Sequence, residues 1–234
     1  MPNSRKILFV IYFSLTFVIA IGDYLFYRTD AMAYVKYATM ASLFLIVQLC
    51  HKEYIEQKRL VKAYWFMLIA DFFLVFSKTL HLDINLNSLG MASFLIAYII
   101  MIMVYVHYLQ MGKRQIVSAV LVYGVFGLLV FRLSQGIEGI MLVFAFIFGM
   151  ILCTMTWMSV CVFFQKSFSK TSRISIAISG ILMCICDFGV ALSMFDPIFS
   201  VGHHPILNHI IWIAYIPGWT ILASVVIGND LYKE

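Results

Sequence analysis

The chain reads as an all-α, polytopic membrane protein of eight transmembrane helices, built as two parallel four-helix repeats with both termini in the cytoplasm. Three observations predict this. First, 63% of its 234 residues are hydrophobic and only 12% are charged, with a mean hydropathy of +0.98; a soluble domain carries about 25% charged residues. Second, the apolar residues gather into eight runs, each near the ~20 residues that cross a bilayer. Third, Asp71-Phe72-Phe73-Leu74-Val75-Phe76-Ser77 and Asp187-Phe188-Gly189-Val190-Ala191-Leu192-Ser193 share the pattern D-F-x-[LV]-x-[FL]-S. Each is followed by a second echo, Ile96-Ala97-Tyr98-Ile99 and Ile213-Ala214-Tyr215-Ile216.

The first predicted helix covers residues 7–27, after Arg5 and Lys6. It has the look of a signal peptide, with Ala20-Ile21-Gly22 as a small-x-small site, but cleavage there would break the repeat, so it is read as a retained span. The second covers 33–50, followed by a polar turn from His51 to Arg59. The third covers 61–81 and carries Asp71. The fourth covers 89–111, and Gly112-Lys113-Arg114-Gln115 closes the first repeat, residues 1–115. The second repeat, 116–234, holds helices over 116–133, 139–165, 174–195 and 206–227, with Asp187 on the third of these. The two repeats together form one transmembrane domain.

Charge orients the chain. Arg5, Lys6, Lys52, Lys58, Arg59, Lys62, Lys113, Arg114, Lys166, Lys170, Arg173 and Lys233 all fall on the side of the termini, twelve of the sixteen basic residues. Only Arg28, Lys36, Lys78 and Arg132 fall on the other. The positive-inside rule places the richer side in the cytoplasm. It also accounts for the excess of basic residues without nucleic acid as a partner. Because four is even, the two halves enter the membrane in the same direction, related by an axis along the membrane normal. Such an axis brings Asp71 and Asp187 to equal depth. The five cysteines, Cys50, Cys153, Cys161, Cys184 and Cys186, lie in or beside apolar runs and read as small buried hydrophobes. No metal or cofactor is expected.

An acid inside a membrane span is costly and marks a functional site by default. Two acids at matching places of a repeat point to one shared site. Two carboxyls in one low-dielectric site do not both ionise readily, which leaves an acid beside a base. That arrangement suits acid–base hydrolysis, and it suits a proton-coupled transporter equally. Tyr64, Asp71 and Lys78 share one face of the third helix at heptad spacing. Gly180, Cys184 and Ala191 share a face with Asp187 and allow close helix approach. Aromatic stripes run along the fourth helix (Phe94, Tyr98, Tyr105, Tyr108) and the eighth (Asn208, Trp212, Tyr215, Trp219). They read either as packing surface or as the wall of a polar-aromatic cavity. Asp23, near the end of the first helix, reads as interfacial, and His203, His204 and His209 read as loop residues.

These motifs resemble those of the YhhN-like family, whose characterised animal members are lysoplasmalogenases. The likeness runs over roughly residues 10–228. A small residue followed by Asp-x-x-Leu is matched by Ala70, Asp71 and Leu74, with Ala where Gly is usual. In the pattern Phe-x-x-x-His-x-x-Tyr, Phe94 matches, while Tyr98 stands at the His position and Met101 at the Tyr position. A Ser-Asp motif is matched by Cys186-Asp187, followed by Ala191. On the last helix Tyr215 and Gly218 match, and Trp219 replaces an amide or imidazole. Lys36-Tyr37 stands where the family has Lys-Pro.

The resemblance implies hydrolysis of the vinyl ether bond of a 1-alkenyl lysophospholipid, with Asp71 and Asp187 as the catalytic pair. Tyr98, Tyr215, Trp219 and Asn208 would position water or substrate, and Lys36 and Lys78 would meet the phosphate. The partners would be a lysophospholipid substrate and membrane lipid, in a bacterial inner membrane or a eukaryotic internal one. The competing reading is a small transporter or lipid-binding protein that uses the same two acids as a proton relay. An intramembrane aspartyl protease also needs two acids, but the glycine-rich companion motif of such enzymes is absent from this sequence.

Overall fold

The computed structural model describes residues 3–26, 29–80, 86–134, 139–196 and 205–232. Among them are eight helices long and apolar enough to cross a membrane. They are α1 (Asn3–Leu25), α2 (Asp30–Leu49), α3 (Ile55–Leu74), α4 (Asn87–Val106), α5 (Lys113–Leu133), α6 (Ile140–Phe163), α7 (Lys170–Phe195) and α8 (Pro205–Val226). The described residues form no strand longer than one isolated bridge, between Phe168 and Tyr232.

Three boundaries differ from the sequence reading in an instructive way. The segment expected to be a polar turn up to Arg59 is helical from Ile55 onward. The side chain of Gln57 folds back, and its Oε1 accepts from the amides of Glu53 (3.1 Å) and Tyr54 (3.2 Å), satisfying donors that a helix start leaves open. Its Nε2 donates to the carbonyls of Val225 (3.2 Å) and Gly228 (2.6 Å), so Gln57 is buried and anchored on the end of α8. Likewise α7 begins at Lys170, where the Ser169 hydroxyl accepts from the Ser172 amide at 3.1 Å as an N-cap. At its other end α3 stops at Leu74 and tightens into a 3-10 helix, Phe76–Leu80, so Lys78 sits on that tighter turn.

The core is an interleaved bundle. The helix α7 packs along α8, and α3 along α4; α6 covers α7, α1 covers α8, and α4 meets α6. Small residues make the tight seams. A Cβ added at Gly90 would fall 2.5 Å from Cγ of Leu74, so α3 and α4 meet at van der Waals distance there. At Gly180 an added Cβ would collide with the side chain of Ser159, which joins α7 to α6, as the shared small face on α7 predicts. The helix α5 is the outlier. It packs on α6, touches α7 lightly, and turns an apolar face of Val117, Leu121, Leu128 and Phe131 outward.

The two ends of the chain meet. Arg5 is buried, ion-paired to Asp230, and its Nε donates to the Ser224 carbonyl at 2.8 Å. The Ser169 amide donates to the Leu231 carbonyl at 3.0 Å. Beside them the Tyr108 hydroxyl donates to Glu56 at 2.7 Å and lies 2.5 Å from the Tyr232 hydroxyl. An even number of spans brings the start of α1 and the segment after α8 to one end of the bundle in this way.

Candidate active site

Asp71 lies in the last turn of α3, and its carbonyl accepts from the Val75 amide at 2.9 Å just before the helix tightens. Its side chain is buried, at 2% exposure. Asp187, two-thirds of the way along α7, is half-buried. Both line one cavity of about 490 Å³, inside the ~300–1,000 Å³ range of small-molecule sites. Its lining residues come from α3, α4, α5, α6, α7 and α8 and from the 3-10 turn after α3.

Each aspartate is held by a tyrosine from the opposite half of the chain. The Tyr215 hydroxyl donates to Oδ1 of Asp71 at 2.7 Å, and the Tyr98 hydroxyl donates to Oδ2 of Asp187 at 2.6 Å. These are the two tyrosines of the Ile-Ala-Tyr-Ile echo. Phe94 links the two pairs: its ring stacks on Tyr98, centroids 6.0 Å apart, and meets the edge of Tyr215 at 6.0 Å. Oδ2 of Asp71 is buried and has no hydrogen-bond partner among the described residues. An unpaired buried carboxyl oxygen is expensive, and this one belongs to a residue that lines the cavity.

The wall has two characters. Asp71, Lys78, Asn87, Asp187, Ser193 and Tyr215 supply its polar groups, and most of the remaining lining, from α5 and α6 above all, is apolar. Cys186, buried beside Asp187, lines it as well.

The sequence-predicted residues divide accordingly. Asp71, Asp187, Tyr98, Tyr215 and Lys78 come together at or against the cavity. Trp219 does not line it. Its ring is fully buried, edge-on to Tyr64 at 5.0 Å and to Tyr215 at 6.4 Å, and its carbonyl accepts from the Tyr64 hydroxyl at 2.5 Å. Trp219 therefore backs Tyr215 from behind. Asn208 and Lys36 belong to a separate cluster around the buried Asp23. Lys36 Nζ is 2.7 Å from Oδ1 of Asp23, and Asn208 Nδ2 donates to Asp23 Oδ2 at 2.8 Å. The Lys36 ammonium also lies 4.7 Å from the ring centre of Trp212, which does line the cavity. Lys36 thus pairs with Asp23 and lies over the ring of Trp212, and it is not among the residues that line the cavity.

Asp23, expected at the interface, is buried at 1% exposure because Lys36 and Asn208 satisfy it. The signal was present: an acid late in one helix and a lysine early in the next, across a short connection. His203 and His204 lie outside the described residues.

A helical bundle whose described residues hold eight helices long and apolar enough to cross a membrane, with two acids from separate helices lining one cavity, defines a multi-pass membrane-type helical protein. The YhhN family's model matches residues 31–226, and the chain belongs to the YhhN family, which includes lysoplasmalogenases. Searches of curated proteins and of solved structures found no match.

Proposed function

We propose that this protein is a membrane-embedded hydrolase that cleaves the vinyl ether bond of a 1-alkenyl lysophospholipid, with an ethanolamine or choline headgroup, to a fatty aldehyde and a glycerophospho-base. The observation that carries the reading is the pair of aspartates, each clamped by a tyrosine, that opens into one cavity with polar and apolar walls.

Acid-catalysed cleavage begins with a proton delivered to the outer alkene carbon, giving an oxocarbenium ion at the carbon bonded to the ether oxygen. Water adds to that carbon and loses a proton to a base. The resulting hemiacetal then collapses: its hydroxyl gives up a proton as the C=O forms, the C–O bond to glycerol breaks, and the glycerol oxygen takes a proton from the acid, leaving the aldehyde and the free glycerol hydroxyl. One carboxyl acts as acid and the other as base and charge stabiliser, as paired carboxylates do for glycosides. Tyr98 and Tyr215 hold the carboxyls in place. Lys78 and Asn87 supply the polar end that meets the phosphate. In this reading both termini face the cytoplasm and the two halves are parallel repeats, so the site sits on their pseudo-axis.

The test is incubation of the purified protein in detergent with 1-alkenyl lysophosphatidylethanolamine and measurement of fatty aldehyde, beside an Asp187→Asn control. Aldehyde from the native protein alone is the expected result. Folded native protein that releases none, but accumulates substrate in vesicles in response to a pH gradient, would replace the hydrolase with the transporter reading.

A further inference from the structure

Asp71 and Asp187 are held unequally. Asp71 receives one donor, the Tyr215 hydroxyl on Oδ1 at 2.7 Å, and its buried Oδ2 has no hydrogen-bond partner among the described residues. Asp187 receives two. The Tyr98 hydroxyl donates to Oδ2 at 2.6 Å, and the thiol of Cys186, its neighbour on α7, hydrogen-bonds to the same carboxyl.

Cys186 is buried at 3% exposure and lines the cavity together with both acids. Its thiol also interacts electrostatically with Asp71 and with the Tyr98 and Tyr215 hydroxyls, so it lies among both clamped pairs. The sequence reading took all five cysteines as small buried hydrophobes. The other thiols of α6 and α7 keep to neutral partners: Cys153 and Cys184 bond to each other, Cys184 also to Thr156, and Cys161 to Ser118. The partner of Cys186 is a carboxyl. A thiol is a weak donor, but a hydrogen bond strengthens when its acceptor is charged. Two donors on one carboxyl favour and fix the carboxylate form, which is the form a base needs. A carboxyl with one donor and a bare oxygen keeps that oxygen for the proton that an acid delivers.

We propose that Cys186 is a positioning residue of the site: its thiol and the Tyr98 hydroxyl together hold Asp187 as the base of the pair, which leaves Asp71 as the acid. The roles rest on the hydrolase reading above; the thiol–carboxyl bond does not. Asp71 delivers the protons that go to the alkene carbon and to the glycerol oxygen. Asp187 takes those of the attacking water and of the hemiacetal hydroxyl. Each half of the reaction thus moves one proton from Asp71 to Asp187, and exchange with water returns it. No bond to sulfur forms or breaks.

Two measurements on the purified protein test this. The first reads the bond without turnover. The S–H stretching band of Cys186 is isolated as the infrared difference between the native protein and Cys186→Ala. Asp187→Asn, whose amide is a weaker acceptor, moves that band towards the frequency of a free thiol, and Asp71→Asn leaves it in place. A native band already at the free-thiol frequency, or one that Asp187→Asn does not move, overturns the proposal. The second measurement reads aldehyde release, with thermal melting to verify folding. Cys186→Ala lowers kcat about tenfold with KM unchanged, and Cys186→Ser, which keeps a donor, recovers most of the loss. A thiol that only filled space would be replaced better by Ala than by Ser, and that order of rates overturns the positioning role. Formate, ionised at neutral pH, supplies a base and no acid, so it restores activity to Asp187→Ala and not to Asp71→Ala. The reverse pattern overturns the roles. A native protein that shows the hydrogen-bonded thiol band but releases no aldehyde sinks the hydrolase, and the roles with it, and leaves the bond standing.

Discussion

The Tyr98 hydroxyl, on α4, donates to the Asp187 carboxyl, on α7, at 2.6 Å, and the same relation recurs between Tyr215 on α8 and Asp71 on α3 at 2.7 Å. The exchange is crossed: the tyrosine that follows one acid in the sequence clamps the other acid. Neither half of the chain can complete its own pair. The site therefore exists only when both halves are folded together, and its geometry depends on the packing of α3 on α4 and α7 on α8.

The clamp predicts the behaviour of the tyrosine variants. Tyr98→Phe keeps the ring that stacks on Phe94 and removes one hydroxyl, leaving Oδ2 of Asp187 without that donor. A lost hydrogen bond to a charged or buried acceptor costs about 1–3 kcal/mol, or roughly 5–150-fold in rate if the pair is needed in the transition state. Tyr215→Phe is expected to act on Asp71 by a similar amount. Initial rates of aldehyde release, with thermal melting to verify folding, check both. Native-like rates in either variant would show that its hydroxyl has no part in the reaction.

Much of this site was legible in the sequence, and what was not has a physical cause. Asp71 and Asp187 stood out because an acid in an apolar run is costly. The tyrosines stood out because they recur. The crossed pairing was not readable, since helical periodicity reports the face of a side chain and not which helix that face meets. Trp219 shared the stripe of Trp212 and Tyr215, yet an eleven-residue stripe spans three turns, and only its middle reaches the cavity. Lys36, given to the phosphate by the family resemblance, pairs instead with Asp23 on another helix, a contact that periodicity along one helix does not report. The chemistry of Gln57 explains the missed start of α3: a polar run can be helix when a neighbouring helix end supplies its hydrogen bonds.

The Asp23–Lys36 pair predicts an asymmetric stability pattern. Both side chains are buried, so Asp23→Asn strands an ammonium away from water. Breaking one side of a buried pair costs about 3–5 kcal/mol, whereas replacing both partners together is far milder. Asp23→Asn should therefore lower the melting temperature strongly, and the double variant Asp23→Asn/Lys36→Met should recover most of the loss. Thermal melting in detergent measures it. A double variant as unstable as the single one would mean that the cluster's contribution is packing and not charge balance.

The α6–α7 seam gives a steric prediction. Gly180 faces Ser159, and the Thr156 hydroxyl approaches the Gly180 carbonyl at 3.4 Å. Gly180→Ala puts a methyl where the Ser159 side chain lies, and overpacking of this kind costs about 1–3 kcal/mol. Shrinking the opposing residue makes room, so Gly180→Ala/Ser159→Gly should be more stable than Gly180→Ala alone, a non-additivity expected of residues in contact. Additive melting shifts would place the strain elsewhere.

The polar clasp at the end of the bundle that holds both termini predicts an alkaline limit. Burial pushes the Tyr232 hydroxyl above its usual range, and the neighbouring Tyr108 and Glu56 push it the same way. Burial also raises Tyr108. A phenol whose folded pKa lies above the unfolded value of about 10 keeps its proton in the native state after the unfolded chain has lost it. Below pH ~10 both states hold that proton, and the contribution is fully present. As pH rises beyond ~10 the unfolded state binds fewer protons, and stability falls. Tyr232→Phe removes one such proton, so its melting temperature should decline less steeply above pH ~10 than that of the native protein, even if it starts lower. Melting curves for the two proteins through that range decide the matter. Parallel declines would show that the Tyr232 hydroxyl titrates alike in the folded and unfolded chain.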